Sequence, residues 1–260
     1  MEIKGLVAAT VMLAAASVAA QQSELAPVRV ILVGDSTVAE KNGWGPGFCA
    51  GLAPQVACVN AAKNGRSSGS YRAEGSWASV MKELKSGNGF SATYVLIQFG
   101  HNDQPGKPGR STDLASEFPI NMRGYVKDVK AAGGKPVLIT PLTRRIFQNG
   151  RLKNDLAPWG EATRKVAGEE GIPILDLNSD SVAAVQKVGP VEANTLAMAP
   201  PPPAVLASAG SGNSLPVPKG GPAPVFDYTH LGEKGSAFFG RMVANELVEA
   251  VPDLRPYIKP

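Results

Sequence analysis

The sequence predicts an α/β fold in which helices cover both faces of a five-stranded parallel sheet, giving a three-layer α/β/α sandwich. Two features lead to this prediction. Five short apolar runs alternate along the chain with stretches of helical periodicity, and such alternation is typical of parallel βαβ units. The runs also hold apolar residues at consecutive positions rather than at every second residue, which indicates strands buried on both faces. The length of 260 residues suits one domain.

Each element is bounded by residues that favour turns or helix starts. The first apolar run lies between Pro27 and Gly34, and the fourth ends before Pro141; glycine and proline commonly interrupt regular structure. Pro158 suits the first turn of a helix. The predicted strands are 28–33, 55–60, 93–99, 135–140 and 172–177, and the predicted helices are 76–86, 114–132, 158–170 and 233–251.

Residues 189–224 interrupt the alternation. They are rich in proline, glycine and alanine, a composition that favours a loop or an extended chain. A linker between two domains is the alternative, but only a short helical stretch follows. We therefore expect a loop excursion within one domain that spans residues 21–260.

Residues 1–20 resemble a cleaved signal peptide. Lys4 provides a positive start, an uncharged run rich in alanine and valine follows, and Gln21 restores polarity. A retained anchor is the alternative, although the apolar run is shorter than the ~20 residues of a comfortable membrane span. We expect a secreted, extracellular protein that is free of the membrane after cleavage.

The composition limits the classes of partner that we expect for this protein. The net charge is +4, and no stretch concentrates lysine and arginine with aromatic residues, so no nucleic-acid partner is expected. We expect a monomer. The only cysteines, Cys49 and Cys58, favour a disulfide in an oxidising compartment, with two buried thiols as the alternative. Two cysteines alone make a metal site improbable, and no cofactor is expected.

Functional side chains of a parallel sheet collect beyond the carboxyl ends of its strands. Ser36 directly follows the first predicted strand, and a serine hydroxyl needs a base to act as a nucleophile. The chain has two histidines, and His230 stands three residues after Asp227, a spacing that lets the carboxylate reach one ring nitrogen in a turn. A Ser-His-Asp relay needs this arrangement.

Each of these residues also has a simpler interpretation. Ser36 could cap a helix, Asp227 could start a turn, and His230 could be a surface histidine. Acyl transfer further requires donors for an oxyanion. The candidates are the backbone N–H groups of Ser36 and Gly65 and the side-chain amide of Asn102.

These residues carry a family resemblance. The chain resembles the SGNH (GDSL-like) hydrolases, and within them the rhamnogalacturonan acetylesterase branch, carbohydrate esterase family 12. The resemblance covers about residues 28–180 and 225–250 and rests on these segments: Gly34-Asp35-Ser36-Thr37, Asn64-Gly65-Arg66-Ser67-Ser68, Phe99-Gly100-His101-Asn102-Asp103, Thr140-Pro141-Leu142-Thr143-Arg144-Arg145 and Asp227-Tyr228-Thr229-His230.

The resemblance implies a flavodoxin-like SGNH hydrolase fold. It implies Ser36 as nucleophile, His230 as base and Asp227 as the acid that orients it. It also implies an oxyanion hole formed by Ser36, Gly65 and Asn102, with His101 as a structural neighbour. The proline-rich segment before Asp227 departs from the family pattern and enters the predicted site edge, where it would affect the range of substrates.

A rival nucleophile and several basic residues lie near the same strand ends. Gly65 to Gly69 fits the pattern G-x-S-x-G, which would make Ser67 the nucleophile. However, four residues separate the apolar run from this pattern, and no apolar-periodic helix is predicted to follow it. Arg66 and Arg144 are candidate contacts for an acidic polysaccharide, or else solvated surface charges.

The first functional hypothesis is therefore a secreted serine esterase. It would remove O-acetyl groups from a plant cell-wall polysaccharide such as rhamnogalacturonan or pectin, through an acetyl-enzyme intermediate. One alternative is a lipid or thioester hydrolase on the same fold. Another is a non-catalytic glycan-binding module.

Overall fold

The computed structural model describes residues 25–87, 89–216 and 225–260. The predicted signal peptide, residues 1–20, lies outside the described residues. The strands are β1 Val28–Gly34, β2 Val56–Asn60, β3 Ala92–Gln98, β4 Lys135–Ile139, β5 Phe147–Gln148, β6 Arg151–Leu152 and β7 Ile174–Leu175. The helices are α1 Gly45–Ala50, α2 Ser70–Ala73, α3 Ser76–Lys85, α4 Glu117–Ala131, α5 Ala157–Glu170, α6 Leu177–Asn194, α7 Pro203–Gly210 and α8 Glu233–Ala250, followed by a 3₁₀ helix, Pro252–Tyr257.

Five strands form one parallel sheet in the order β2-β1-β3-β4-β7. This is the doubly wound order of flavodoxin-like folds, in which the chain turns to opposite sides after β1 and after β3. The predicted fold class is confirmed. A small antiparallel hairpin, β5-β6, follows β4 and was not predicted.

The last strand of the sheet is shorter than expected. Residues 172–177 were predicted as a strand, but only Ile174–Leu175 pairs with β4. Pro173 has no N–H to donate, which restricts it to strand starts and edges. Leu177 already belongs to α6.

Side chains of one strand alternate between two cores because successive residues of a strand point to opposite faces. Val30 and Leu32 pack with α1 and α8, whereas Ile31 and Val33 pack with α3 and α4. The first core includes Trp44, Phe48, Phe239 and Val243, and the second includes Val80, Met122, Val126 and Trp159. The alternation explains why β1 is buried along its whole length.

The prediction of a loop at residues 189–224 is wrong for two stretches, which are helical. Helix α6 continues to Asn194 across a kink at Gly189, whose φ is 78°. Pro190 follows the kink and so occupies a first helical turn, where a missing N–H costs little. Pro203 starts α7 in the same way. Residues 217–224 lie outside the described residues.

Cys49 and Cys58 form a disulfide that joins α1 to β2, as expected from the sequence. The bond ties the helix that follows the Ser36 turn to the edge strand of the sheet. None of the helices in the three described ranges is long and apolar enough to cross a membrane.

Candidate active site

Ser36 lies in a tight turn at the carboxyl end of β1. The Asp35 carboxylate accepts hydrogen bonds from the N–H and the hydroxyl of Thr37, at 2.9 and 2.8 Å. Gly34 is required by close packing, since a Cβ there would lie 2.7 Å from the carbonyl oxygen of Gln98. The first helix after this turn begins at Gly45. Ser36 is therefore not a helix cap, which removes the simpler interpretation of this residue.

The Ser36 turn is fixed from below by buried polar side chains. Gln98, at the end of β3, donates to the Thr37 hydroxyl at 2.6 Å and accepts from the indole N–H of Trp44 at 3.0 Å. All three side chains are fully buried. A satisfied buried network of this kind restricts motion, so the Ser36 hydroxyl sits on a rigid support.

Ser36, His230 and Asp227 form a continuous chain of hydrogen bonds. His230 Nε2 lies 2.9 Å from Ser36 Oγ, and His230 Nδ1 lies 2.6 Å from Asp227 Oδ2. Burial raises the pKa of Asp227, but the hydrogen bond and charge of His230 outweigh it and lower that pKa to about 2. An ionised carboxylate can only accept, so the proton must sit on Nδ1. Nε2 is then an acceptor for the Ser36 hydroxyl.

Hydrogen bonds within the turn that carries His230 stabilise its backbone. The second oxygen of Asp227, Oδ1, accepts the backbone N–H groups of Thr229 and His230, at 2.7 and 2.6 Å. One carboxylate thus orients the imidazole with one oxygen and the backbone of the same turn with the other. The spacing of three residues, noted in the sequence, allows both contacts.

Arg145 lies directly beneath this turn and is fully buried. Its guanidinium donates to the carbonyl oxygens of Asp227 and His230, both at 2.9 Å, and to that of Thr229 at 3.3 Å. Burial lowers the pKa of Arg145 to about 10, although the negative charge of Asp227 opposes the shift. From the sequence, Arg145 is a candidate contact for an acidic polysaccharide or a solvated surface charge, and a buried role was not predicted. Its place after a predicted strand was the one available signal.

The other histidine, His101, does not reach Ser36. Its ring is buried, with Nδ1 3.6 Å from Asp35 Oδ2. Burial lowers the pKa of His101 and outweighs the opposite effect of Asp35. A neutral imidazole behind the Ser36 turn agrees with the expected structural role.

Besides the Ser36 N–H, the candidate oxyanion donors lie on the loops after β2 and β3. Gly65 adopts a φ of 75°, a conformation that favours glycine. Asn102 is buried, and its Nδ2 donates to the carbonyl oxygen of Arg66 at 3.1 Å. An amide nitrogen carries two hydrogens, so one remains for a ligand. The same contact joins the two loops.

A second contact joins these loops through Asp103. Its carboxylate accepts from the N–H and the hydroxyl of Ser68, at 3.0 and 2.6 Å, and from Thr112 at 2.9 Å. Burial raises the pKa of Asp103 to about 6 despite these bonds. The loops of Gly65 and Asn102 are consequently held together as one unit.

Ser67, the rival nucleophile, is fully buried. Its hydroxyl donates to Ser70 Oγ at 3.2 Å and accepts the N–H of Ser70 at 3.1 Å. A helix of four residues, α2, does follow, contrary to expectation. No histidine contact of Ser67 occurs within the described residues, and the hydroxyl is occupied in starting α2.

The two arginines expected to meet substrate already have acidic partners. Arg66 forms an ion pair with Glu74 at 2.7 Å, and Arg144 forms one with Asp155. Arg110 was missed. It stands in a loop rich in glycine and proline, eight residues after Asn102, and its Nη1 lies 3.4 Å from Asn102 Oδ1.

Comparisons with known proteins identify the family of the chain. Residues 32–237 match the GDSL-like lipase/acylhydrolase family. The chain is 30% identical to the rhamnogalacturonan acetylesterase RhgT of Bacillus subtilis over 89% of this chain and 94% of that protein. It is 26% identical to the probable rhamnogalacturonan acetylesterase YesY of the same organism, over 85% and 92%.

Solved structures share the fold. The B. subtilis protein YXIM superposes with a TM-score of 0.65 at 23% identity, over 86% of this chain and 56% of that one. An acetyl xylan esterase, AlAXEase, superposes with a TM-score of 0.57 at 17% identity, over 86% of this chain and 99% of that one. The resemblance read from the sequence segments is confirmed: the chain belongs to the GDSL-like lipase/acylhydrolase family and is an ester hydrolase.

Proposed function

We propose that this enzyme is a secreted serine acetylesterase that removes O-acetyl groups from a plant cell-wall polysaccharide of the rhamnogalacturonan or pectin type. The observation that carries the proposal is the hydrogen-bonded chain from Ser36 through His230 to Asp227. A relay of this kind, at the edge of a sheet and beside two candidate oxyanion loops, suits acyl transfer.

In the proposed reaction, Ser36 Oγ attacks the carbonyl carbon of the acetyl ester while His230 Nε2 takes the hydroxyl proton. The tetrahedral intermediate collapses, the sugar hydroxyl leaves with the proton from His230, and an acetyl-enzyme remains. Water then attacks the acetyl carbonyl, again giving its proton to His230. Acetate departs and Ser36 recovers its proton. Asp227 stays ionised and stabilises the imidazolium in both halves.

The negative charge of the intermediate would be held by three donors. They are the N–H groups of Ser36 and Gly65 and the free amide hydrogen of Asn102. Preorganised donors of this kind stabilise a transition state because they need no rearrangement as charge develops. The tied loops around Asp103 support the necessary rigidity.

The substrate class is supported by the relatives. RhgT is named a rhamnogalacturonan acetylesterase and covers nearly the same length as this chain. The apolar, uncharged residues 6–20 and the disulfide between Cys49 and Cys58 support passage to an oxidising compartment. The family also includes lipases by its description, so a lipid or thioester hydrolase is the competing proposal.

The test is acetate release from acetylated rhamnogalacturonan, acetylated xylan and 4-nitrophenyl esters of short and long acyl chains. We expect turnover of the polysaccharide and of acetyl esters, and little turnover of long-chain esters. Preference for long acyl chains, without acetate release from polysaccharide, would support the lipase alternative instead. Binding to pectin without any acetate release would support a glycan-binding module.

A further inference from the structure

Arg110 stands out among the arginines near the candidate site. Arg66 and Arg144 are each held in an ion pair, and Arg145 is buried beneath the His230 turn. Arg110 is partly exposed, and no carboxylate of the described part of the chain forms an ion pair with it. Among these four arginines, Arg110 is therefore the one whose guanidinium is open to an anionic ligand.

The position of Arg110 links it to both candidate oxyanion loops. Its Nη1 lies 3.4 Å from the carbonyl oxygen of Gly65 and 3.4 Å from Asn102 Oδ1. These contacts are long and use one nitrogen of the guanidinium. The group has five N–H donors in a planar fork, so the remaining donors are available to a group bound beside the reacting ester.

A groove of about 500 Å³ begins at Arg110. This volume falls within the range of about 300–1,000 Å³ that is typical of ligand pockets. Its lining also includes Gly69, Ser111, Thr112, Ile120 and Asn121. The hydroxyls of Ser111 and Thr112 are bound to Gln104 and Asp103, so Arg110 carries the free donors that this groove offers to a sugar chain.

The two acidic residues on the groove are already engaged. Glu74 pairs with Arg66, and Glu117 accepts the backbone N–H of Asp113 at 2.7 Å. The backbone N–H is neutral, so Glu117 keeps its negative charge, and Arg110 supplies the positive charge of the groove. It lies within reach of the loops on which the ester would be held.

We propose that Arg110 binds the carboxylate of a uronate residue next to the acetylated sugar, and so selects acidic over neutral acetylated polysaccharides. The proposal rests on the proposed esterase function and narrows its substrate. A guanidinium fork matches the two oxygens of a carboxylate, and such charge-assisted pairs are among the stronger hydrogen bonds. Acetylated xylan, whose backbone is neutral, offers no equivalent group.

The experiment compares wild type, Arg110→Gln and Arg110→Lys with the control Arg123→Gln, which removes the same charge from an arginine of α4 that is paired with Glu169. Substrates are acetylated oligosaccharides containing galacturonate, the same oligosaccharides with methyl-esterified carboxylates, acetylated xylo-oligosaccharides and 4-nitrophenyl acetate. Acetate release is measured as kcat and KM at low salt and at roughly 1 M salt, where the Debye length is about 3 Å.

For Arg110→Gln we expect a loss in kcat/KM of ~10-fold or more on the free uronate substrates, mainly through KM. On the methyl-esterified, xylan and 4-nitrophenyl substrates the loss in kcat/KM should be smaller, and it should be the same for all three. There the variant loses only the contacts by which Arg110 supports Gly65 and Asn102. For wild type, methyl esterification of the substrate should lower kcat/KM by as much as the Arg110→Gln change does on the free uronate. The two losses should not add when the variant acts on the methyl-esterified substrate. Arg110→Lys should be intermediate, and high salt should reduce the preference of wild type.

Equal losses on all substrates would overturn the proposal and leave Arg110 as a support of the oxyanion loops. So would a wild-type enzyme that releases acetate from acidic and neutral oligosaccharides equally well, in which case the esterase assignment would stand. If wild type releases acetate from none of the substrates, the esterase function itself fails.

Discussion

The guanidinium of Arg145 lies 2.9 Å from the carbonyl oxygen of His230, and it holds the turn of the base through backbone atoms alone. A buried cation normally has a carboxylate partner, yet here the acceptors are neutral carbonyl groups. This relationship makes a strong kinetic prediction.

Arg145→Met should lower kcat on 4-nitrophenyl acetate by about 10- to 100-fold, because small displacements of a catalytic group are costly, while KM changes little. The matched control is Arg29→Met. Arg29 is also buried, but it pairs with Glu83 at the opposite end of the sheet. Both variants should be less stable, so rates are expressed per folded molecule. Equal kcat values in the two variants would show that Arg145 is a structural residue only.

Asn102→Ala should lower kcat by ~10²-fold or more if its amide is an oxyanion donor. Asn194→Ala, which changes a buried asparagine in α6, is the control for the loss of a buried amide. Steady-state kinetics on 4-nitrophenyl acetate provide the measurement. A decrease of less than threefold, relative to the control, would remove Asn102 from the oxyanion site.

Glu246 in α8 predicts a dependence of stability on pH. Its carboxyl group is buried, and neither oxygen has a hydrogen-bond partner among the described residues. Burial, together with the charges of Asp180, Asp176 and Glu249, raises its pKa from 4.5 to about 8. Between these values the unfolded chain releases the proton while the folded chain keeps it. Stability should therefore fall as pH rises, by about 1.4 kcal/mol for each unit of pKa difference.

Urea denaturation of wild type and Glu246→Gln, at about pH 5 and about pH 9, measures this effect. The glutamine variant has no proton to release, so its stability should change less over that interval. A variant whose stability falls as steeply as that of wild type would exclude Glu246 as the source.

We expect that removal of the disulfide lowers the free energy of unfolding without changing catalysis. Cys49 and Cys58 are nine residues apart, and closure of so short a loop contributes about 2–3 kcal/mol in the chain-entropy view. The double variant Cys49→Ala/Cys58→Ala should lose stability of this order and retain kcat. Chemical denaturation and esterase assays measure the two quantities. A large loss of kcat would mean that the bond positions the Ser36 turn.

The sheet could be predicted from the sequence because β1, β3 and β4 are continuous apolar runs bounded by glycine or proline. The pairing of His230 with Asp227 was also predictable, since both residues lie in one turn. Arg145 was not, because its partners lie 82 to 85 residues away and no local pattern records that approach. Arg110 was missed because it stands in an irregular loop rich in glycine and proline, where no periodic pattern indicates that it contacts Gly65 and Asn102. The helices α6 and α7 were missed because proline was interpreted as a helix breaker, whereas Pro190 and Pro203 occupy first turns.

The most direct test of the account is the site of acylation. Wild type, Ser36→Ala and Ser67→Ala should be mixed with 4-nitrophenyl acetate, quenched in acid, and examined by mass spectrometry of proteolytic peptides. The account predicts an acetyl group on Ser36 in wild type and in Ser67→Ala, and neither acetylation nor turnover in the folded Ser36→Ala protein. Acetylation of Ser67, or undiminished turnover without Ser36, would contradict it.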